Sequence, residues 1–394
     1  MNTDNWVQTW GAAPQAPDAG LGSLDGCPPF ADVTLRQVVR VSGGGRHVRL
    51  RLTNEYGTGP LTIGAARVGL AAADGDVRRG SDRTVTFAGR PSVTVPAGAP
   101  MLSDPIDLPL AALDLLSISL YLPELVESVT CHDPSLDTGW LIAGNAVAGG
   151  IPPATAAPLP VRALISAVAV RPTAPGRAVV VLSDSLADGF GSTPDTHRSW
   201  PELLAERLIR RGGPAAYVVN QGISGNRLLN DGLGTAGLAR FDRDVLATPG
   251  LGHVVVSLGH NDISISFAAR DDESGDGFLA MFPGSPVTPA DVIAGYLQLI
   301  ARAHERGVRV HATTLTPDEG AEIHTPDGEK ARQEVNEWIR TSGAFDSVWD
   351  FDAVWRDPAR PGRIRDHLHA GDFLHGNDAG YQALADSVDL SLFA

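Results

Sequence analysis

The sequence predicts two domains, an antiparallel β-sandwich followed by an α/β domain with a central parallel sheet. Three observations carry this. A chain of 394 residues is longer than one hydrophobic core usually serves. From about Val33 to Val170 apolar residues recur with period two. After Arg177 they gather instead into short unbroken runs separated by helical stretches.

In the first half, Val33, Leu35, Val38 and Val39 open the alternation, and Val48, Leu50 and Leu52 continue it against Arg49 and Arg51. Further strands are expected over 61–69, 83–88, 91–95, 115–122 and 161–170, punctuated by Gly, Pro, Asn and Asp as in a sandwich. Ile151 to Leu159, rich in Pro and Ala, reads as a long connection. Arg171 to Arg177, with two prolines and a glycine, reads as the boundary between domains at 1–174 and 175–394.

In the second half the apolar runs are Ala178–Leu182, Ala216–Val219, Val254–Leu258, Val308–Ala312 and Phe345–Phe351. Unbroken runs suit strands covered on both faces, with Trp200–Arg211, Ala290–Arg306 and Ala331–Ser342 as crossover helices. In such sheets, chemistry collects beyond the carboxyl ends of the strands.

Thirty-one basic against 46 acidic side chains, a net charge of -15, argue against a nucleic-acid or anionic-membrane partner, because both need clustered cations. No apolar stretch reaches the roughly 18 residues of a spanning helix. The start of the chain lacks the basic and apolar regions of a signal peptide, so the expectation is a cytoplasmic protein, or an exported one whose leader has been removed. Cys27 and Cys131 leave two readings open, a disulfide or two buried thiols.

Three blocks follow strand ends and a fourth stands near the C-terminus: Ser183, Asp184, Ser185, Leu186, Ala187, Asp188 and Gly189; Asn220 to Asn226 with Gly222 and Gly225; Gly259, His260, Asn261 and Asp262; and Asp372 to Tyr381 with His375. In this order and on this α/β pattern they resemble the SGNH (GDSL) hydrolase superfamily over 178–394. The first half also resembles the β-rich region that precedes the catalytic domain in one bacterial group of these proteins, through Thr9, Trp10, Leu35 to Val41 and Leu52 to Gly57. The resemblance implies a flavodoxin-like three-layer catalytic domain behind a jelly-roll-like sandwich.

Acyl transfer by serine needs a nucleophile, a base, a group that orients the base, and donors for the oxyanion. The blocks offer Ser185 as nucleophile, His375 as base and Asp372 to hold the histidine tautomer. The oxyanion donors would be the amides of Ser185 and Gly225 and the Asn261 side chain, with glycine giving close approach to the reacting carbon. His260 and Phe282 are expected as pocket residues, the latter on an irregular insertion, Ile263 to Pro286, that either roofs an acyl or alcohol pocket or packs against the N-terminal domain. This chemistry calls for no cofactor or metal.

Ser183 stands where the family usually has glycine and adds a second hydroxyl; Gly376 stands where proline is common. Asp366 and His369 repeat the Asp-x-x-His spacing but lack the block that follows His375, and they read with His367 as a polar loop. Gly232, Gly234 and Gly237 match a dinucleotide spacing without the preceding strand. The acidic run 271–276 lacks the terminal glutamate of a calcium loop, and Trp200 reads as core. The expected activity is hydrolysis of short-acyl esters, acetyl or aryl, with acetylated carbohydrates among the candidates. A carbohydrate-binding protein with a degraded site and an acyltransferase using the same serine are the alternatives.

Overall fold

The computed structural model describes residues 5–25, 30–73, 75–148, 156–213, 215–268 and 278–393. Two compact units emerge. One comprises Met1–Gly176 with the short pieces 194–197 and 214–219, and the other holds the remainder.

The first unit contains two principal antiparallel sheets. In one, Gly45–Asn54 pairs with Ile165–Arg171, which pairs in turn with Val7–Gly11; Ala99–Leu102 and Ile106–Leu110 share its other edge. In the other, Val33–Arg40 and Leu115–Leu122 form the centre, flanked by Gly139–Ala143 and Ala65–Leu70. The period-two pattern has its cause here: Val48, Leu50 and Leu52, Leu35 and Val39, and Leu116, Ile118 and Leu120 are fully buried.

Several boundaries differ from expectation. Leu164 takes φ 63°, which splits the strand expected over 161–170 into Arg162–Ala163 and Ile165–Arg171. The strands expected over 83–88 and 91–95 shrink to Arg83–Thr84 and Val93–Val95. The stretch read as a connection ends in a strand, Ala157–Leu159, at a sheet edge, where Pro158 is tolerated because one strand side needs no donor. Cys131 is a buried free thiol, while Cys27 and the acidic run 271–276 lie outside the described residues.

The parallel sheet of the second half of the chain has five strands among the described residues: β1 (Gly176–Ser183), β2 (Ala215–Gly222), β3 (Leu251–Ser257), β4 (Arg309–Thr313) and β5 (Ser347–Trp349), in the order β2-β1-β3-β4-β5. Ala178 to Leu182 are all fully buried, as a strand covered on both faces requires. Among the described residues, eight α-helices accompany the sheet: α1 (Ser185–Asp188), α2 (Trp200–Arg211), α3 (Gly237–Phe241), α4 (His260–Phe267), α5 (Pro289–His304), α6 (Pro326–Thr341), α7 (Phe351–Trp355) and α8 (Asp378–Ser387). This is the doubly wound parallel architecture, and the order reverses between β1 and β3, the point beyond whose carboxyl ends such sheets generally bind ligands.

Helix α6 begins five residues before its expected start. Pro326 and Gly328 read as breakers, yet Pro at the first helical position is favourable and Thr325 Oγ1 accepts from the Gly328 amide at 3.0 Å. Trp200 is fully buried, edge-on to Trp349 and Phe351, and so belongs to the core.

Candidate active site

Ser183 ends β1 and Ser185 begins α1. Between them Asp184 caps the helix, its carboxylate accepting from the Leu186 amide at 3.1 Å, and Gly189 closes it with φ 96°. The backbone turns from strand to helix at Asp184, and the two hydroxyls meet different partners. Ser183 Oγ is buried and donates to the Ser257 carbonyl at 2.9 Å, whereas Ser185 Oγ lies 2.9 Å from His375 Nε2. The same imidazole places Nδ1 2.6 Å from Asp372 Oδ2.

The loop before α8 positions that pair. Asp372 Oδ1 also accepts from the amides of Leu374 (3.0 Å) and His375 (2.9 Å), closing a tight turn around the carboxylate. Asn377 caps α8 through the Gly380 amide and donates its own amide to the carbonyls of His367 and His369. Burial acts to raise the Asp372 carboxyl, but the bonds from His375 and Leu374 outweigh it and hold the group well below the usual carboxylate range. Asp366 is exposed near Arg363, and His369 accepts from the Gly371 amide and stacks on Phe373, so that pair forms no second chain to serine.

The second block locks onto the first. Asp188 Oδ2 accepts from the amide (3.1 Å) and hydroxyl (2.7 Å) of Ser224, and Asn220 donates to the Ala187 carbonyl at 2.6 Å. Gly225 has φ 76°, and a Cβ there would stand 2.3 Å from Leu233 Cδ1. Glycine is required by backbone conformation and by Leu233, a different reason from approach to the reacting carbon. Asn261, in the first turn of α4, gives one amide hydrogen to the Asn226 carbonyl at 3.0 Å and keeps the other. Gly232 and Gly234 face each other across a tight loop and Gly237 starts α3.

Of the two expected pocket residues, His260 is buried at 5% exposure, with Nε2 3.5 Å from Asp318 and Nδ1 3.4 Å from Ser264 Oγ; burial holds its pKa down. Phe282 is 2% exposed and packs in a cluster with Leu233, Ile265 and Ile323. The ring that does reach solvent is Phe190, 38% exposed, with its centroid 4.6 Å from that of His375. Its backbone is pinned at both ends: the amide donates to the Ser185 carbonyl at 3.1 Å, and the carbonyl accepts from Tyr381 Oη at 2.5 Å.

Sequence reasoning named Asp188, Asn226 and Asp262 within the motif blocks without giving them a role, and did not reach Phe190 or Arg240. Asp262 accepts from the amides of Leu228 (2.6 Å) and Leu229 (3.0 Å) and ties the loop after β2 to α4. Only its place directly after Asn261 could have drawn attention to it.

Just past the first strand of a doubly wound sheet, Ser185 is hydrogen-bonded through His375 to Asp372, the arrangement that acyl transfer by serine requires. The sequence model of the GDSL-like lipase/acylhydrolase family matches residues 184–383, just over half of the chain, and this chain belongs to that family. No curated protein matches the sequence. Among solved structures, the native M. smegmatis aryl esterase is 18% identical, covering 54% of this chain and 96% of its own at a TM-score of 0.40. A member of the lipolytic protein G-D-S-L family from Veillonella parvula DSM 2008 is 16% identical over 54% of this chain and 96% of its own, at 0.39. An acetyl xylan esterase is 18% identical over 53% and 96%, also at 0.39.

Proposed function

We propose that this protein hydrolyses carboxylic esters through an acyl-serine intermediate. The observation that carries the reading is the continuous chain Ser185 Oγ, His375 and Asp372 at 2.9 and 2.6 Å. With Nδ1 donating to Asp372, His375 Nε2 is unprotonated and accepts the Ser185 proton as Oγ attacks the ester carbonyl carbon. The negative charge moves to the carbonyl oxygen, where the amides of Ser185 and Gly225 and the remaining Asn261 hydrogen stabilise it. The Ser185 amide, first in its helix, has no acceptor within that helix. As the tetrahedral species collapses, His375 returns the proton to the departing alcohol; water, deprotonated by the same nitrogen, then releases the acid.

Short-acyl esters fit best. The apolar side chains of the neighbouring cluster, Leu233, Ile265, Phe282 and Ile323, are buried against one another. Phe190 stands beside the imidazole that protonates the leaving alcohol, so an aryl or sugar-ring alcohol would meet an aromatic face there.

A fluorophosphonate probe should label Ser185, and Ser185→Ala should lose labelling and about three orders of magnitude in hydrolysis of p-nitrophenyl acetate while Ser183→Ala keeps most of it. Turnover surviving in Ser185→Ala sinks the assignment. Faster turnover of long-chain than of acetyl esters sinks the short-acyl reading alone, and acyl transfer to an added alcohol in preference to water identifies a transferase.

A further inference from the structure

Arg240, in α3, has a fully buried side chain and lies well away in sequence from the four motif blocks. An arginine is rarely buried without partners, and here every nitrogen of the guanidinium has one. Nη2 donates to the Ser183 carbonyl at 3.0 Å, two residues before the nucleophile. Nη1 donates to the Gln221 carbonyl at 2.8 Å, at the end of β2. Nε donates to Asn226 Oδ1 at 3.1 Å, directly after Gly225. The charge is balanced by Asp244, 3.2 Å from Nη1, carried on the π-helical turn Asp242–Leu246 that continues α3.

Asn226 extends this connection. Its side-chain amide donates to the carbonyls of Leu233 and Thr235, both at 3.0 Å, and its own carbonyl receives the Asn261 side chain. One planar fork therefore touches the strand that presents Ser185 and both flanks of Gly225, and through Asn226 reaches the anchor of Asn261. Those are the segments that carry all three oxyanion donors.

We propose that Arg240 is a positioning residue that sets the three oxyanion donors relative to Ser185; the proposal rests on the acyl-serine reading above. The fork matters as much as the charge. Lysine at this position would bring a point charge on a flexible stem and could not direct three bonds to three segments in one plane. Misplacing reacting groups by about 1 Å costs on the order of 100-fold.

The test compares the wild type with Arg240→Lys and Arg240→Gln, each titrated with a fluorophosphonate so that rates are expressed per reactive serine. In both variants kcat per titrated site should fall at least about tenfold with KM little changed, and a boronic acid that mimics the tetrahedral species should bind more weakly by a similar factor. A purely structural role would lower the number of titratable sites and leave kcat and boronate affinity per site intact, and that result overturns the proposal. If neither Arg240 variant folds, Asn226→Ser, which removes the acceptor of Arg240 Nε, should show the same coupled loss, and unchanged kcat per site in it overturns the proposal equally. A wild type that takes up no probe would refute the acyl-serine reading itself. Labelling in the wild type with undiminished variants would refute only the role of Arg240.

Discussion

Replacing Asp372 by asparagine keeps the turn and reverses the imidazole. The new Oδ1 can still accept from the amides of Leu374 and His375, now at 3.0 and 2.9 Å, so the loop should hold its shape. The new amide nitrogen, however, would face His375 Nδ1 where a carboxylate oxygen stood at 2.6 Å. A donor there makes Nδ1 an acceptor and moves the ring proton to Nε2, which then cannot accept from Ser185 Oγ. In a serine protease with a buried aspartate the same exchange costs about 10⁴ in kcat, roughly 5 kcal/mol of barrier. The Asp372 side chain is 43% exposed, so water already screens part of its field. The expected loss is therefore about 10³, roughly 4 kcal/mol, in kcat for p-nitrophenyl acetate with little change in KM. The thermal midpoint should stay near that of the wild type. Asp372→Ala, which removes both acceptor oxygens and the three bonds they receive, should lose both activity and loop order, the latter seen as faster amide exchange at Leu374 and His375. Asp372→Asn with kcat within about threefold of wild type would show that the carboxylate does not set the tautomer.

Other substitutions test neighbouring parts of the argument. Gly225→Ala must hold a Cβ at φ 76° and 2.3 Å from Leu233 Cδ1, so kcat/KM should fall at least about tenfold, and a simultaneous Leu233→Ala should not restore it because the backbone strain persists; full recovery in the double variant would assign the effect to packing. Phe190→Ala should lower the ratio of kcat/KM for phenyl acetate over ethyl acetate by roughly three- to tenfold, and an unchanged ratio would remove the ring from the alcohol side. Removing the stacked imidazoles in the double variant His253→Leu, His311→Leu should change how the urea midpoint depends on pH between about 4 and 6.5, and a wild-type dependence would show that the pair does not couple to folding.

Much of the site is legible because the chemistry sits where the hydrophobic pattern stops. Ala178 to Leu182 reads as a doubly covered strand, so Ser183 to Ser185 must lie at its carboxyl end. What supports the site is far less legible. Arg240 lies in Leu238, Ala239, Arg240, Phe241, Asp242, Arg243, where an arginine reads as a solvated helix residue; its burial depends on carbonyls of Ser183 and Gln221 that are distant in sequence. Phe190 carries no sequence signal of its own, and it is the glycine turns on either side that leave the ring beside His375. In the first unit, Ile106, Leu108 and Leu110 are buried in alternation, but Pro109 and the preceding Pro105 hide an edge strand that needs donors on one side only.

The buried ionisable groups of the second unit pull stability in opposite directions with pH. Burial pushes the carboxyl of Asp184 up to about 7 and that of Asp262 to about 6, above an ordinary 3.8. The folded chain then holds protons that the unfolded chain has released, so stability from these groups is full below about 3.8 and is lost as pH rises through 6 to 7. The imidazoles of His253 and His311, whose nitrogens lie 3.0 Å apart, are lowered from 6.5 to about 4, first by burial and then by neighbouring charge. Their contribution is full above about 6.5 and is lost as pH falls through about 4. The two slopes oppose each other in the same window, two carboxyls against two imidazoles. The wild-type urea midpoint should therefore be nearly flat there. The double histidine variant should grow less stable as pH rises, and Asp184→Asn, which still caps α1, should grow less stable as pH falls. Equal slopes in both variants would show that the flatness does not come from this opposition.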